Sequence, residues 1–335
     1  MPRLVGQVGV SHFEKHVDPS RQIPIKKILI CRPNQRLGNL LLTTPLIQEL
    51  ELNFPNCEID VIVKGPLAKT IFKSYKSINK VIILPRKPFK ALIKYLRVWL
   101  SVYFKTYDLV INAVDGSSSG RLLTKTAKAP YKIFGDFDVE NQKSRTDFIH
   151  ISKRPIYNLR HYLTRVGHQS LTSKISCLDL KLTQDELKEG KKILNNLVGF
   201  KKPTIAIFTY ATGPKCYSKS WWANLYELLV ENFTNTHHIL EILPVENVSQ
   251  IDFKTKTYYS KDVREICSVI AHCKLFIGAD SGMMHLASAS KTKTVGLFSV
   301  TNKKEYGVYG NGSYNIDTNK DNLEAEILKI KQQYI

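Results

Sequence analysis

The sequence has 335 residues, 43% of them hydrophobic, a length that suits two domains of ordinary size, each with its own core. With 49 Lys and Arg against 29 Asp and Glu, the formal net charge of +20 predicts attraction to polyanions, anionic lipid or phosphorylated ligands, without choosing among them. The six cysteines form no CxxC pair, so their pattern argues against a zinc site or a disulfide framework and favours a reducing cytosol.

The amino terminus, residues 1–24, is assigned to an extension ahead of the first domain. It has no continuous apolar h-region, and no apolar run of about 18 residues occurs anywhere in the chain. We therefore expect a cytoplasmic protein that neither crosses a membrane nor enters the secretory route by a signal peptide.

From residue 25 the chain alternates strand-like and helix-like segments. It opens with ILICRPNQRLGNLLLTTPLIQEL, a pattern typical of a strand, a loop containing Gly38, and a helix. The loop has neither GxxxxGK[ST] nor the full GxGxxG spacing, which weakens the case for nucleotide hydrolysis or nicotinamide binding. The later strand-like runs of this half are CEIDVIVKG, KVIILP, YDLVINAV and YKIFGD.

A basic stretch without acidic residues extends from Arg86 to Lys105. Its pattern predicts an amphipathic helix with a basic face and an apolar face. Two interpretations stay open: a helix packed on the first sheet with its apolar side inward, which we favour, or a helix resting on an anionic leaflet. The basic face comprises Lys90, Lys94 and Arg97, and the apolar face Phe89, Leu92, Leu96, Trp99 and Tyr103.

The strand-helix rhythm is lost between about Arg160 and Leu182, and we place the domain boundary near Leu171. This gives a first domain of residues 25–171 and a second of residues 172–335. The second half repeats the alternation with PTIAIFTY, HHILEILP, KLFIGA and TKTVGLFSV. The predicted fold class is α/β, with two parallel-sheet, Rossmann-like domains and an active site in the cleft between them.

The segment DSGMMHLAS, from Asp280 to Ser288, lies between a strand-like run and a helical pattern. We expect Asp280 to cap the helix and to leave backbone NH groups at Ser281 and Gly282 at the positive end of its dipole, a site that binds phosphate readily. His285 falls one turn inside the helix and can lean over the same anion. The alternative is a capped helix with a core-facing histidine.

Two segments, RPNQRLGNLLLTTPL and IGADSGMMHLASA, together resemble glycosyltransferase family 9, the bacterial heptosyltransferases that build the inner core of lipopolysaccharide. The resemblance runs from about Ile28 to Phe298 and includes YDLVIN, the KSWW that begins at Lys219, and Leu243 with Pro244. It implies a GT-B architecture with two domains facing across a cleft, and a nucleotide-sugar donor bound mainly by the carboxy-terminal domain. It also implies inversion at the sugar without a metal or a cofactor.

The resemblance further implies ADP-heptose as the donor and a lipopolysaccharide-core glycolipid as the anionic acceptor, bound by the first domain. Lys219, in the loop after PTIAIFTY, is similar to the family lysine that contacts the donor phosphate, a role that suits a compact ammonium. Glu246, after the next strand end, is a candidate to bind the ribose or sugar hydroxyls, with a plain surface glutamate as the alternative.

The opening loop departs from the family, whose members usually present an aspartate directly after the loop glycine as general base. This chain has Asn39, whose amide cannot accept a proton at neutral pH but can orient an acceptor. Arg32 and Arg36 bracket the loop and can engage acceptor phosphate or carboxylate groups.

Three interpretations of Asn39 stay open. Another carboxylate replaces the missing base, and Asp115 in VINAVDGSSSG is the best candidate because it lies just beyond a strand end; a turn residue before Gly116 is the competing explanation. Alternatively, an acidic acceptor or a water chain supports slower transfer. In the third interpretation, the chain binds nucleotide sugar without turnover.

The resemblance thus implies an inverting glycosyltransferase that acts on an anionic glycolipid, either free in the cytoplasm or bound at the cytoplasmic face of the inner membrane. Positive charge alone suggests a nucleic-acid-binding protein, but no recognition motif supports specific binding. His237 and His238 are adjacent in a strand pattern and point to opposite faces, so no metal site is predicted.

Overall fold

The computed structural model describes Gly9, Ser11 and residues 25–86, 91–136, 145–165 and 174–334. The chain divides into two compact units, Met1–Ser176 and Cys177–Ile335. The boundary that the sequence predicts at Leu171 lies outside the described residues, as does most of the extension 1–24.

Five short strands of the first unit form a parallel sheet. They are β1 (Lys27–Cys31), β2 (Glu58–Val63), β3 (Ile78–Ile83), β4 (Leu109–Asn112) and β5 (Tyr131–Ile133). Their order in the sheet is β3-β2-β1-β4-β5, with β1 paired to β2 on one side and to β4 on the other. Because the direction of strand addition reverses between β1 and β4, their carboxyl ends flank a topological switch point, where open α/β sheets bind ligands.

Six helices accompany this sheet in the described part of the unit. They are α1 (Leu37–Leu41), α2 (Thr44–Asn53), α3 (Leu67–Ile71), α4 (Leu92–Phe104), α5 (Ser118–Thr126) and α6 (Arg154–Arg165). Helices α2 and α6 are joined by a two-point ion pair, in which Arg160 Nε and Nη2 lie 2.7 and 2.8 Å from the two carboxylate oxygens of the buried Glu49. This geometry fixes α6 against α2.

The predicted amphipathic segment forms helix α4, but the apolar residues of this helix do not all face inward. Trp99 and Val102 pack on the core of the first unit, whereas Leu92, Leu96 and Tyr103 are exposed. The favoured interpretation, with the whole apolar side inward, is therefore wrong for these three residues. Phe89 and Lys90 lie outside the described residues.

Six strands of the second unit also form a parallel sheet. They are β6 (Thr204–Phe208), β7 (His238–Ile242), β8 (Lys256–Tyr258), β9 (Leu275–Ala279), β10 (Thr294–Phe298) and β11 (Tyr314–Asp317). Their order is β11-β10-β9-β6-β7-β8. The switch point of this sheet lies between β6 and β9, which pair in parallel.

Six helices and one short 3₁₀ turn, Gly213–Lys215, complete the described part of the second unit. The helices are α7 (Gln184–Val198), α8 (Lys219–Phe233), α9 (Val263–Ile270), α10 (Gly282–Ala289), α11 (Lys303–Tyr306) and α12 (Leu323–Tyr334). Two separate parallel-sheet α/β units confirm the predicted fold class. None of the helices built from the described residues combines the length and apolar character that crossing a bilayer requires.

Helices α7 and α9 approach closely at Gly190, where an added Cβ would lie 2.4 Å from backbone atoms of Ser268. Backbone cannot move aside as a flexible side chain can, so Gly190→Ala should lower the free energy of unfolding by roughly 1–3 kcal/mol. Urea unfolding followed by circular dichroism measures this change. Lys191→Ala, at an exposed position of the same helix, is the control and should change stability by less than about 0.5 kcal/mol. Equal stability of the two variants would contradict the close approach.

Candidate active site

Three polar side chains meet beyond the carboxyl ends of adjacent strands in the second unit. Asp280 follows β9, Lys215 follows its neighbour β6, and Thr301 follows its other neighbour β10. Lys215 Nζ donates to Asp280 Oδ2 at 2.6 Å, and Thr301 Oγ1 donates to the same oxygen. The cluster therefore lies at the switch point of this sheet, where a ligand is expected to bind.

Helix α10 begins one residue later than the sequence predicts. Its N-cap is Ser281, which is in an extended conformation and whose Oγ accepts from the backbone NH of Met284 at 3.4 Å. Asp280 is instead buried and bonded to Lys215 and Thr301, so the prediction that it caps the helix is wrong. The physical reason is that the N-cap residue must directly precede the first helical residue, Gly282.

The amino-terminal turn of α10 is accessible. Ser281, Gly282 and Met283 are partly exposed, whereas the helix is buried from Met284 onward. The first amides of a helix have no intrahelical acceptor and lie at the positive end of its dipole, so this turn can receive a phosphate. His285 is only 4% exposed, which fits the core-facing alternative more closely than a ring that covers the anion.

Lys219 is the first residue of α8 rather than a loop residue, since Ser218 caps the helix by accepting from the NH of Trp221. Its ammonium lies 2.5 Å from Asp252 Oδ1, and both side chains are about two-thirds exposed. The structure thus pairs the sequence-predicted lysine with Asp252, whereas the partner of Asp280 is Lys215.

Asp252 belongs to a turn that is anchored by a buried carboxylate. Ser249 Oγ donates to Glu241 Oε2 at 2.8 Å and accepts the backbone NH groups of Ile251 and Phe253, each at 3.1 Å. Thr209 Oγ1 donates to the other oxygen of Glu241 at 2.6 Å. Burial raises the pKa of Glu241, an effect that the two hydroxyl donors partly oppose. This network fixes the backbone that presents Asp252 to α8.

Glu246 lies in the turn that leads from β7 towards this network, and its side chain is exposed. The preceding Leu243 and Pro244 are buried, and the NH of Asn247 donates to the carbonyl of Pro244 at 2.9 Å. The structure therefore places Glu246 beyond the carboxyl end of β7, as the sequence predicts, with its carboxylate open to solvent.

In the first unit, the residues predicted to bind acceptor follow β1 directly. Arg32 is 6% exposed, and its backbone NH donates to the carbonyl of Ile62 at 2.9 Å. Arg36 is exposed and occupies the N-cap position of α1. Gly38 and Asn39 lie within α1, buried and half-buried respectively. The prediction that Gly38 lies in a loop is therefore wrong, because α1 already begins at Leu37.

Asp115 lies just beyond β4, on the other side of the same switch point. It is three residues past Asn112, which pairs with Cys31 at the end of β1. Asn112 Nδ2 donates to the carbonyls of Val114 and Phe134 at 2.7 and 2.9 Å, so the turn that carries Asp115 is fixed from both sides. The structure thus brings the residues that follow β1 and Asp115 to the same edge of one sheet.

Burial raises the pKa of the Asp115 carboxyl above its usual 3.8. The positive charges of Arg121 and Arg154 oppose this effect, and the negative charge of Asp136 adds to it. Arg121 Nη1 donates to Asp115 Oδ1 at 3.2 Å, while its Nη2 donates to Asp136 at 3.0 Å. A carboxylate with a raised pKa accepts a proton more readily than an ordinary aspartate, which is the property that a general base requires.

Sequence reasoning missed Lys215 and Thr301, and it also missed a basic cavity of about 490 Å³ beside α6. The signal for Lys215 and Thr301 was available, because polar residues that follow neighbouring parallel strands meet at one sheet edge. Part of the cavity was also readable, because its five lining residues on α6 recur at helical spacing, whereas the approach of Arg145 from outside the helix is not visible in periodicity. Its lining comprises Arg145, Tyr157, Arg160, His161, Thr164 and Arg165.

Residues 95–334 match the model of glycosyltransferase family 9 (heptosyltransferase). Lipooligosaccharide heptosyltransferase 2 of Campylobacter jejuni is 27% identical over 299 residues, 82% of each chain. Lipopolysaccharide heptosyltransferase 3 of Escherichia coli is 24% identical over 290 residues, covering 79% of this chain and 81% of the relative.

Solved structures show the same fold. A family 9 glycosyl transferase from Veillonella parvula has a TM-score of 0.71 at 17% identity, covering 95% of this chain and 92% of its own. The E. coli heptosyltransferase WaaC with ADP has a TM-score of 0.64 at 17% identity, covering 91% of this chain and 99% of the WaaC chain. The resemblance of the motifs RPNQRLGNLLLTTPL and IGADSGMMHLASA predicted this family. Because the family match spans most of the chain, this glycosyltransferase belongs to family 9.

Proposed function

We propose that this enzyme transfers heptose from ADP-heptose to an anionic lipopolysaccharide-core acceptor, with inversion and without a metal. The observation that carries the proposal is the Lys215–Asp280 pair beside the accessible amino terminus of α10. Support for the sugar comes from relatives named as heptosyltransferases and from a solved E. coli WaaC with ADP-2-deoxy-2-fluoro heptose.

On the donor side, negative charge develops on the diphosphate as the bond to the anomeric carbon breaks. The backbone NH groups at Ser281 and Gly282 and the ammonium of Lys215 are fixed donors of the kind that stabilise such charge. Lys219 joins them by exchanging its exposed carboxylate partner, Asp252, for phosphate. His285 is buried within α10, and its packing there holds the amino-terminal turn of this helix in place.

We assign Glu246 to the ribose or sugar hydroxyls of the donor. Its carboxylate is exposed in the turn beyond β7, and an ionised carboxylate accepts hydrogen bonds from paired hydroxyls. The turn after Glu246 is anchored by the hydrogen bond from Ser249 to Glu241, and it holds the backbone next to Glu246 in place.

On the acceptor side, Asp115 takes the place of the family aspartate that Asn39 replaces. The acceptor oxygen attacks the anomeric carbon, the bond from that carbon to the donor phosphate breaks, and the acceptor proton passes to Asp115. Oδ1 of Asp115 is bonded to Arg121, so we assign the proton to Oδ2. Asn39 orients the acceptor by hydrogen bonds, and Arg32, Arg36 and the surrounding backbone at Gly38 hold its anionic groups.

A lipid-linked acceptor places the reaction at a membrane surface, which we propose to be the cytoplasmic face of the inner membrane. Positive charge favours this location, because anionic headgroups attract a chain with a net charge of +20. The basic cavity beside α6 adds to the positive surface of the unit that we assign to the acceptor.

The second candidate function is a nucleotide-sugar-binding protein without turnover. The observation that favours it is Asn39, because an amide in place of the family's base removes proton acceptance at that position. In this case the donor site is intact and the acceptor side is inert.

Turnover by the purified protein tests the proposal. ADP-heptose and a panel of other nucleotide sugars are supplied with extracted lipopolysaccharide core, and nucleoside diphosphate release and product mass are followed with and without a chelator. We expect transfer from ADP-heptose that the chelator does not change. If a donor binds but none turns over, and Asn39→Asp restores transfer, the second candidate function is correct.

A further inference from the structure

Helix α4 carries two apolar arcs, and only one of them is buried. Tyr95, Val98, Trp99 and Val102 recur at helical spacing and pack on the core of the first unit. The other arc is open to solvent, with Ile93 and Phe104 exposed by 69% and 72%. Its members are Leu92, Ile93, Leu96, Leu100, Tyr103 and Phe104.

This outer arc is continuous along the helix. Steps of four residues from Leu92 to Leu96, Leu100 and Phe104 place these side chains in one stripe, because an α-helix has about 3.6 residues per turn. The stripe covers roughly 120° of the helix surface, and Ile93 and Tyr103 lie within it. Contiguous exposed apolar surface of this kind marks an interaction site, whereas single exposed apolar residues need no explanation.

Positive charge borders the stripe. Lys94 and Arg97 are exposed on the polar strip between the two arcs, and Lys128 Nζ lies 4.7 Å from the centre of the Tyr103 ring. Neighbouring α5 adds exposed Leu122. In residues 59–107 the single acidic residue is Asp60, whose buried carboxylate is held by Lys105 and Tyr107.

We propose that the outer face of α4 docks on an anionic lipid bilayer, with the apolar stripe in the headgroup region and the basic rim on the phosphates. A helix with a wide apolar face and a basic border lies in the plane of such an interface. The inference deepens the proposed membrane location and rests on the proposed lipid-linked acceptor only for the choice of a bilayer as partner.

Charge complementarity selects the bilayer over a second copy of this chain. In a two-fold symmetric pair the same patch meets itself, so a face bordered by Lys94 and Arg97 would meet a second face with the same positive border. That arrangement brings like charges together, whereas an anionic leaflet neutralises them.

Co-sedimentation of the full chain with vesicles tests the proposal, using phosphatidylcholine alone or mixed with phosphatidylglycerol and no donor or acceptor. We expect binding to the anionic vesicles that weakens with salt. Ile93→Ser/Leu96→Ser/Leu100→Ser should lower the partition coefficient at least about tenfold, since three aliphatic side chains that would insert into the bilayer are lost. Lys94→Glu/Arg97→Glu, which leaves the stripe intact, should lower it by more than about fivefold per residue.

Leu328→Ser is the matched control, because Leu328 is a leucine at an exposed position of α12, 51% exposed, in the other unit. It should bind vesicles as the wild type does. Wild-type binding by the triple variant would overturn the proposal. So would a wild-type dimer, seen by sedimentation velocity, that the triple variant dissociates while vesicle binding stays absent. Vesicle binding needs no turnover, so failure of the proposed transfer reaction leaves this test unaffected.

Discussion

Asp115→Asn is expected to lower kcat by about 10²–10⁴, the usual contribution of a general base. The substitution keeps the shape of the side chain and the turn held by Asn112, but an amide cannot take the acceptor proton. The KM for the donor should change little, because Asp115 belongs to the first unit and the proposed phosphate site to the second. Steady-state kinetics with ADP-heptose and extracted core acceptor measures both constants.

The pH profile gives an independent test of the same residue. A base works only when it is deprotonated, so kcat/KM should fall as the pH drops through the pKa of Asp115. Burial places this pKa above the ordinary 3.8 of an aspartate, and the acidic limb of the profile should therefore lie above that value. The limb should disappear in the residual activity of Asp115→Asn.

Asp136→Asn is the matched control. Asp136 shares Arg121 with Asp115, and the exposed fractions of their side chains are 23% and 28%. Loss of the ion pair alone therefore affects the two variants similarly, whereas loss of the base affects only Asp115→Asn. A large fall in kcat for both variants would indicate that Arg121, rather than Asp115, is the group that matters.

The fold was predictable because the central strands of its sheets are buried on both faces. Runs such as ILIC and LFIGA are continuous apolar segments separated by helical patterns, which is the signature of a parallel sheet. All four apolar runs identified in the second half become strands of one sheet, β6, β7, β9 and β10, and the residues after them lie at its carboxyl edge. The general location of the Asp280 site follows from that rule.

The partners within the site were not predictable in the same way. The resemblance of KSWW to a family motif points to Lys219, but α8 begins at this residue and the ammonium of Lys219 pairs with Asp252. Lys215 reaches Asp280 through the 3₁₀ turn after β6, a local conformation that sequence periodicity does not reveal. Contacts of this kind depend on loop geometry, which a pattern of apolar residues leaves open.

The two faces of α4 illustrate a different limit. Apolar residues occupy so much of this helix that periodicity alone does not say which arc packs inward. The choice is made by the sheet and by α5, which accept Trp99 and Val102 and leave Leu96 outside. The sequence therefore predicted an amphipathic helix but not which apolar residues stay exposed.

Lys215→Met is expected to lower kcat/KM for the donor by about 10²–10³, the usual effect of removing one fixed donor from a site where negative charge develops. Methionine keeps much of the side-chain length but removes the ammonium. It also leaves the Asp280 carboxylate, 6% exposed, without its cation beside the phosphate site. Both effects disfavour the departing diphosphate, so kcat should fall as well as donor affinity. Kinetics with varied ADP-heptose and calorimetric titration with ADP separate the two.

Lys219→Met and Lys320→Met complete the comparison. Lys320 pairs with Asp317 at 3.7 Å and is 79% exposed, so its loss should leave kcat/KM unchanged and controls for the removal of a paired surface lysine. Lys219 must give up Asp252 before it can reach a phosphate, so its loss should cost less than that of Lys215. If Lys219→Met is instead the more damaging variant, the motif lysine carries the phosphate contact, and Lys215 serves to neutralise Asp280. That outcome would place the charge that meets the diphosphate at the start of α8. Which variant, Lys215→Met or Lys219→Met, loses more kcat/KM therefore decides which lysine contacts the phosphate.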